Sequence, residues 1–350
     1  MSSAPIKTAI LSYGMSGEIF HAPLLHAHRG FHLSTIVQRH SDHAGQRYPD
    51  VKIARQAEEV FHDPEVELIV VNTPNDTHHA YTTAALLAGK HVVVEKPFTV
   101  TTKEADELIA LSKKQNRLLS VFQNRRWDGD FLTVLKVLEQ KLLGKVVEFE
   151  AHYDRYRNYI EAKSWKEEER PGNGILYNLG SHMLDQVLVL FGVPEWVDAR
   201  MGIQRPGGKV NDFYDIRLTY QDFHAIVKSS YLVREQGPRY IIHGVEGSFV
   251  KYGIDPQEQS LKEKKTPGTA GWGEEGREHW GKLHADIEGV LFEGKIGTVP
   301  GNYLHFYQNI YDAIREGKPL MVKPESSRDV IKLIEISMAS NEQRRAIPFV

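Results

Sequence analysis

The sequence predicts an α/β protein in two parts: a doubly wound parallel sheet, then an α+β domain built on a large, mostly antiparallel sheet. Three observations lead there. Through about residue 124, short apolar runs alternate with helical stretches, the pattern of strands buried on both faces and joined by right-handed crossover helices. A glycine-bearing turn, Leu11-Ser12-Tyr13-Gly14-Met15-Ser16-Gly17, joins the first run to the first helix. Beyond about residue 124 the rhythm changes to longer segments that alternate polar and apolar residues, as strands with one packed face do. With 350 residues, the chain suits two domains, expected over 1–124 and 125–350.

Strands are expected at Ile6–Leu11, Phe31–Val37, Leu68–Val71, Val92–Val94 and Leu118–Phe122, each a short apolar run. Helices are expected between them at Glu18–Ala27, Ala57–Phe61, His79–Ala88 and Lys103–Gln115. The last begins with Thr101 followed three residues later by Glu104, a capping box. In the second part a helix is expected from Asp130 to Leu143, ending at Gly144 in a left-handed cap. Strands follow at Val146–Asp154, Trp196–Ile203, Asn211–Tyr220, Phe223–Val233, Tyr240–His243 and Ser248–Lys251. In the third of these, Tyr214, Ile216, Leu218 and Tyr220 share one face. Helices at Leu179–Phe191 and Ser326–Arg344 can cover the packed side. From Asp255 to about Gly297 the chain is polar and glycine-rich, and an exposed hairpin or extended loop is expected.

Composition narrows the function. A formal net charge of −3 gives no field for nucleic acid or an anionic membrane. No apolar stretch approaches the roughly 18 residues that span a bilayer. The segment Met1-Ser2-Ser3-Ala4-Pro5 reads as a short arm without signal-peptide character, so the cytoplasm is the default expectation. The absence of cysteine excludes disulfides, thiolate metal sites and a cysteine nucleophile. The histidines show no zinc-helix spacing, and no metal is expected.

The turn after the first strand matches a dinucleotide-binding turn, with Ser12 where the first glycine is usual. Gly14 lets the backbone approach a pyrophosphate, Gly17 permits close helix–strand packing, and the helix amino terminus faces the anion. At the end of the second strand, Val37-Gln38-Arg39-His40-Ser41 offers an arginine and no carboxylate before Asp42. An NAD site usually presents a carboxylate there for the ribose hydroxyls, whereas an arginine suits the extra phosphate of NADP. NADP is therefore the expected cofactor, with NAD the lesser alternative. Glu95-Lys96-Pro97 closes the run His91-Val92-Val93-Val94. It places a lysine at the carboxyl end of a strand, where open α/β sheets hold their ligands.

With the glycine turn, Asn72-Thr73-Pro74-Asn75-Asp76-Thr77-His78, Glu95-Lys96-Pro97 and Gly180-x-His182-x-x-Asp185 in this order, the chain resembles the Gfo/Idh/MocA oxidoreductase family over essentially its whole length. Gln123-Asn124-Arg125-Arg126-Trp127-Asp128 and Tyr252-Gly253-Ile254-Asp255-Pro256-Gln257-Glu258 are similar to its bacterial branch of NADP-dependent scyllo-inositol dehydrogenases. The resemblance implies a Rossmann domain followed by an α/β domain whose open sheet face makes homodimers or homotetramers. It implies that Lys96 contacts the reacting oxygen beside the nicotinamide and that the Lys96-Pro97 bond is often cis. It further implies cofactor contacts by Ser12, Gly14, Met15, Gly17, Thr73, Pro74, Asn75, His78, Glu95, Asn124 and Arg126. Trp165, within Lys163-Ser164-Trp165-Lys166, matches a segment that reaches the cofactor from the second domain.

Oxidising a secondary alcohol removes a hydride and a proton. The proton needs a base that titrates near neutrality, which histidine provides. His182 is the candidate, and Lys96 supplies a fixed positive charge to the developing alkoxide. Asp185 orients His182 or binds substrate, or is simply a helix-start acid stabilised by the dipole. Asn178 stands where many relatives carry aspartate. It can hydrogen-bond a hydroxyl but cannot stabilise an imidazolium by charge. A polyol, inositol or sugar is the expected substrate, with Asn178, Asp185, Tyr153 and Arg155 as binding candidates. His152, Asp154, Arg155, Tyr156 and Arg157 offer hydroxyl-binding donors and acceptors, and equally suit a charged sheet face or subunit contact. Two alternatives stand beside this: a non-catalytic NADP-binding sensor, and a glycosidase that uses NAD transiently.

Overall fold

The structure, a computed structural model, describes residues 4–162 and 164–350. The first three residues of the expected arm, Met1–Ser3, lie outside the described residues, as does Lys163 of the tryptophan segment. The chain forms two compact units that interleave along the sequence. The first comprises Met1–Trp127, Pro256–Trp272 and Asn302–Arg328; the second comprises Asp128–Asp255, Gly273–Gly301 and Asp329–Val350.

The first unit carries six parallel strands, β1 (Ile6–Ile10), β2 (Phe31–Val37), β3 (Lys52–Ala54), β4 (Leu68–Val71), β5 (His91–Val94) and β6 (Leu119–Val121), in the order β3-β2-β1-β4-β5-β6. This is the doubly wound Rossmann order, whose direction of winding reverses between β1 and β4. Leu68 through Val71 and Val92 through Val94 are all 0% exposed, which is why they read as unbroken apolar runs; each such side chain contributes about 1.5–3 kcal/mol on burial. The strand β3 was not expected from the sequence, because Lys-Ile-Ala is short and starts with an exposed residue.

A helix over residues 15–27 follows β1. Its second turn, Gly17–His21, is a widened π turn in which the Ala22 N–H bonds the Gly17 carbonyl, and it continues into α1 (Ala22–Ala27). Pro23 gives a reason for the widening. It has no N–H to offer the Ile19 carbonyl, and its ring excludes that carbonyl from the regular position. The helices α2 (His43–Arg47), α3 (Glu58–Phe61), α4 (His78–Leu87) and α5 (Thr102–Lys114) complete the crossovers. The capping box of α5 is formed in both directions: Glu104 N–H donates to Thr101 Oγ1 at 3.3 Å, and Thr101 N–H donates to Glu104 Oε2 at 3.1 Å.

The returning segments supply α8 (Gln257–Lys262) and α9 (Leu304–Glu316). Gln257 is fully buried; its amide donates to the Trp127 carbonyl and accepts from Trp272 Nε1 at 2.9 Å and Tyr303 N–H at 2.8 Å. Phe306 and Tyr307 of α9 join an aromatic cluster with Phe122, Trp127 and Phe31.

The second unit holds a nine-stranded sheet in which β7 (Val146–His152) and β10 (His224–Ser230) are parallel and the other neighbours antiparallel. Its remaining strands are β8 (Trp196–Gly202), β9 (Phe213–Thr219), β11 (Tyr240–Gly244), β12 (Gly247–Lys251), β13 (Gly281–Ile287), β14 (Val290–Ile296) and the short β15 (Ile347–Pro348). In β9, Tyr214, Ile216, Leu218 and the adjoining Tyr220 are buried while Arg217 is exposed, as the alternation requires. The helices of this part of the chain are α6 (Gly129–Glu139), α7 (Ser181–Phe191) and α10 (Pro324–Gln343). The helix expected to run to Leu143 stops at Glu139, because Lys141 already takes a left-handed φ of 54°, three residues before Gly144 at 64°. The polar stretch after Asp255 contains the expected hairpin: β13 and β14 meet at Glu288-Gly289, both with positive φ (53° and 83°), as the tightest hairpin turn demands.

Removing the α5 cap with Thr101→Ala is expected to cost about 1 kcal/mol. Native-state hydrogen exchange should show this as roughly fivefold faster exchange in the first turns of α5. Unchanged exchange would show that the box adds no stability.

Candidate active site

In the first unit, four loops leave the carboxyl ends of neighbouring strands β1, β4, β5 and β6. They carry, in turn, Ser12–Gly17, Thr73–His78, Glu95–Pro97 and Asn124–Trp127. The first two flank the switch point, where such sheets open a crevice. Asn72 locks them together. Its Oδ1 accepts from Ser12 N–H at 2.9 Å and its Nδ2 donates to the Ser12 carbonyl at 2.8 Å.

Within the turn, Ser12 takes the first glycine position without a positive φ, and its Oγ accepts from Gly14 N–H at 3.2 Å. A side chain at Gly17 would place Cβ 2.1 Å from the Ser12 carbonyl oxygen and 2.9 Å from Asn72 Nδ2. Only glycine fits there. A Cβ at Gly14 would meet nothing closer than Ser12 Oγ at 3.5 Å, so this backbone faces open space beside the start of the 15–27 helix and the half-exposed Met15. An exposed turn with free approach, at a helix amino terminus, fits a dinucleotide's pyrophosphate.

Arg39, at the end of β2, is exposed and donates to Tyr81 Oη at 3.1 Å. The carboxylate of Asp42 is held by Arg55 at 2.7 Å, and the same guanidinium donates to the carbonyls of Gln38 and Ser41, each at 2.9 Å. The loop therefore presents a cation while its nearest acid is neutralised.

Thr73 Oγ1 lies 2.6 Å from Thr77 Oγ1, and the Thr77 N–H closes a short turn, Asn75–Thr77, on the Pro74 carbonyl. His78 does not face outward with them. It is fully buried, with Nδ1 at 2.8 Å from the Pro97 carbonyl and Nε2 at 3.0 Å from the Thr73 carbonyl. Burial holds its pKa below the ordinary histidine range; the ring packs between the two loops, and since both neighbours are carbonyl acceptors a neutral ring donates to one of them. The Lys96-Pro97 bond is cis. Glu95 is likewise turned inward: its Oε2 accepts from Lys96 N–H at 3.0 Å and its Oε1 lies 3.0 Å from His21 Nε2. Burial pushes this carboxyl's pKa up, but the His21 hydrogen bond and the charges of His21 and Lys96 bring it below the usual carboxylate range. Asn124 is buried in its turn, and Arg126 donates to the Met321 carbonyl at 2.7 Å and Ser326 Oγ at 3.0 Å. His78, Glu95 and Arg126 thus each hydrogen-bond within the protein.

In the second unit, a second π turn, Leu176–Gly180, leads directly into α7. Asn178 lies in the turn, and His182, Asp185 and Gln186 lie on the first two turns of the helix, all three buried. Gln186 Oε1 accepts from Tyr240 Oη at 2.8 Å and from Arg239 at 3.3 Å. Arg239, which no sequence pattern singled out, is buried between the rings of Tyr153 and Tyr240, 4.6 and 4.7 Å from their centroids. Tyr153 is thus a packed ring, with Arg155 at 5.3 Å from its centroid. Nearby, His152 sits between Glu150 and Asp154, whose carboxylates raise its pKa. Tyr156 and Arg157 each join a cation–π pair, with Arg234 and Tyr231. Trp165 opens a short turn, Trp165–Glu167, that is pinned by the buried Arg205, whose guanidinium grips Glu167 at 2.8 and 3.1 Å and Asp212 at 3.1 Å. Among the described residues, no cluster of His, Asp and Glu could hold a metal ion, and no helix is long and apolar enough to cross a membrane.

A Rossmann unit with this turn, followed by a unit with a large, mostly antiparallel sheet, is an architecture suited to binding a dinucleotide. Residues 6–123 match the oxidoreductase-family NAD-binding Rossmann fold and residues 136–349 match the same family's C-terminal alpha/beta domain. The chain belongs to the Gfo/Idh/MocA oxidoreductase family. It is 40% identical to scyllo-inositol 2-dehydrogenase (NADP(+)) IolW of Bacillus subtilis, over 98% of this chain and 95% of that one. It is also 40% identical to the uncharacterized oxidoreductase YdgJ of Escherichia coli, over 98% of each. Among solved structures, the yvaA protein of Bacillus subtilis matches with a TM-score of 0.97 at 38% identity, covering 100% of both chains. An oxidoreductase from Bacillus cereus matches at 0.91 and 33%, covering 99% of both.

Asn72→Ala would remove both partners of the part-buried Ser12 N–H and carbonyl, at about 1 kcal/mol for each hydrogen bond. We expect NADH and NADPH affinities, read by nicotinamide fluorescence, to fall tenfold or more (about 1.4 kcal/mol). Wild-type affinities would show that the clamp does not shape the turn.

Proposed function

We propose that this protein is an NADP-dependent oxidoreductase that transfers a hydride between nicotinamide and a secondary alcohol or ketone of a polyol, inositol or sugar. The observation that carries the proposal is the succession of the Ser12–Gly17 turn, the Thr73–His78 loop and Lys96 at the ends of neighbouring strands β1, β4 and β5. The name of the 40%-identical Bacillus subtilis relative, a scyllo-inositol dehydrogenase using NADP(+), supports the substrate class and the cofactor.

In this proposal Ser12, Gly14, Met15 and Gly17 hold the pyrophosphate, Arg39 pairs with the 2′-phosphate, and Thr73, Pro74 and Asn75 line the nicotinamide half. Arg39 can serve NADP because Arg55 keeps the Asp42 carboxylate engaged; a free acid there would repel the extra phosphate. Bound nicotinamide supplies the hydride acceptor or donor. Lys96 gives its ammonium to the substrate oxygen, stabilising alkoxide character. An imidazole nitrogen of His182 takes the hydroxyl proton during oxidation and returns it during reduction. Asn178 and Asp185 bind hydroxyls, and Trp165 is a further cofactor residue. We extend the proposal to a homodimer or homotetramer formed through the large sheet, where Val290 and Leu291 are 67% and 72% exposed.

His182→Ala and Lys96→Met are each expected to lower turnover by roughly 10²–10⁴, with NADPH affinity kept. Turnover at the wild-type level in either variant would contradict that residue's role. Arg39→Ala is expected to weaken NADPH binding by about tenfold or more while NADH binding stays within about twofold, since a charge-assisted phosphate contact is lost from one cofactor only. Equal losses for both would remove Arg39 from the phosphate site.

A further inference from the structure

A buried polar chain runs behind Lys96. His21 is 0% exposed and closes the π turn that follows the glycine loop. Its Nε2 is 3.0 Å from Glu95 Oε1 and its Nδ1 is 2.7 Å from Tyr307 Oη. Glu95 Oε2 in turn accepts from the Lys96 backbone N–H. The imidazole also packs 4.4 Å from the Phe122 ring, which closes it off from water.

The partners define the links of this chain. Glu95 is held in its ionised form by His21 and Lys96 against the effect of burial. It accepts from His21 Nε2 at one oxygen and from the Lys96 amide at the other. The hydroxyl of Tyr307, kept protonated by burial and by the Glu95 charge, pairs with His21 Nδ1. A buried chain of this kind is costly to leave half-made.

We propose that His21 is a positioning residue for Lys96: it holds the Glu95 carboxylate in the one orientation that fixes the Lys96 peptide. The widened turn is what points His21 inward, and the returning helix α9 supplies the Tyr307 hydroxyl. Because His21 lies on the same helix as the glycine turn, one hydrogen-bonded element joins the dinucleotide-binding turn to the strand end that bears Lys96. The inference rests on the proposed role of Lys96 in the reaction.

The test uses His21→Phe, which keeps a ring but removes both hydrogen bonds, and His21→Gln, whose amide N–H can still reach Glu95. In the cofactor-free protein, exchange of the Lys96 amide is expected to quicken about tenfold in His21→Phe and to recover most of its protection in His21→Gln. With scyllo-inositol and NADP+, kcat is expected to fall about tenfold or more in His21→Phe, as small misplacements of a reacting group do. NADPH affinity and the KM for NADP+ should stay within about threefold. Tyr307→Phe, which removes only the outer hydrogen bond, is expected to give a smaller change of the same kind and serves if His21→Phe does not fold. Wild-type Lys96 exchange and kcat in whichever of these variants folds would overturn the positioning role. Wild-type turnover in Lys96→Met would overturn the functional proposal instead, leaving the exchange result to stand by itself.

Discussion

Two hydrogen bonds from the Asn72 side chain to the backbone of Ser12 hold the first unit's switch point in working form. At that place the helices after β1 and β4 turn to opposite faces of the sheet, and nothing in a parallel sheet's own ladder ties the two loops together. One buried amide does so, offering an acceptor to the Ser12 N–H and a donor to the Ser12 carbonyl. Gly17 has no room for a side chain because Ser12 and Asn72 occupy that space, while Gly14 faces outward with room to spare. A tight inner glycine and an open outer one follow from the same clamp.

From there a ladder of short polar links continues across the strand ends. Asn72 joins the loops after β1 and β4, His78 joins those after β4 and β5, and Glu95 joins Lys96 to His21 on the helix that begins at the glycine turn. None of these side chains needs to meet a ligand to matter, since each is turned inward against protein groups. Their effect is to give Lys96 and the turn a fixed relation before anything binds, which is the preorganisation that electrostatic catalysis requires. The returning segments take part: Tyr307 ends the chain behind Lys96, and Gln257 anchors the segments to Trp127.

Much of this was legible in the sequence, for identifiable reasons. Strands buried on both faces are rich in apolar residues, so β4 and β5 stand out as near-continuous runs and β1 and β2 as largely apolar ones, and the Thr101–Glu104 box marks the start of α5 because capping is local chemistry. The strand β3 has only three residues and no such signal. The end of α6 was misjudged because Lys141 takes a left-handed conformation that pattern assigns to glycine. The interleaving of the units could not be read, since the partners of Gln257 and Tyr307 lie far away in sequence. The same applies at the site. Ser12, Gly14, Gly17 and Lys96 stand in local motifs, whereas His21, Arg55, Arg205 and Arg239 acquire their meaning only from residues brought to them by the fold. His78 and Glu95 sit inside motifs, yet their side chains face the protein, a direction that spacing alone does not encode.

NADP-linked oxidation of a ring or chain hydroxyl can be followed by nicotinamide absorbance during incubation with inositols, aldoses and linear polyols, each with NADP+ and with NAD+. At least one inositol or sugar should reduce NADP+ steadily, several-fold faster than it reduces NAD+. No reduction of either cofactor across the series, together with no oxidation of NADPH by the corresponding ketones, in protein that binds NADPH, would contradict the proposed activity.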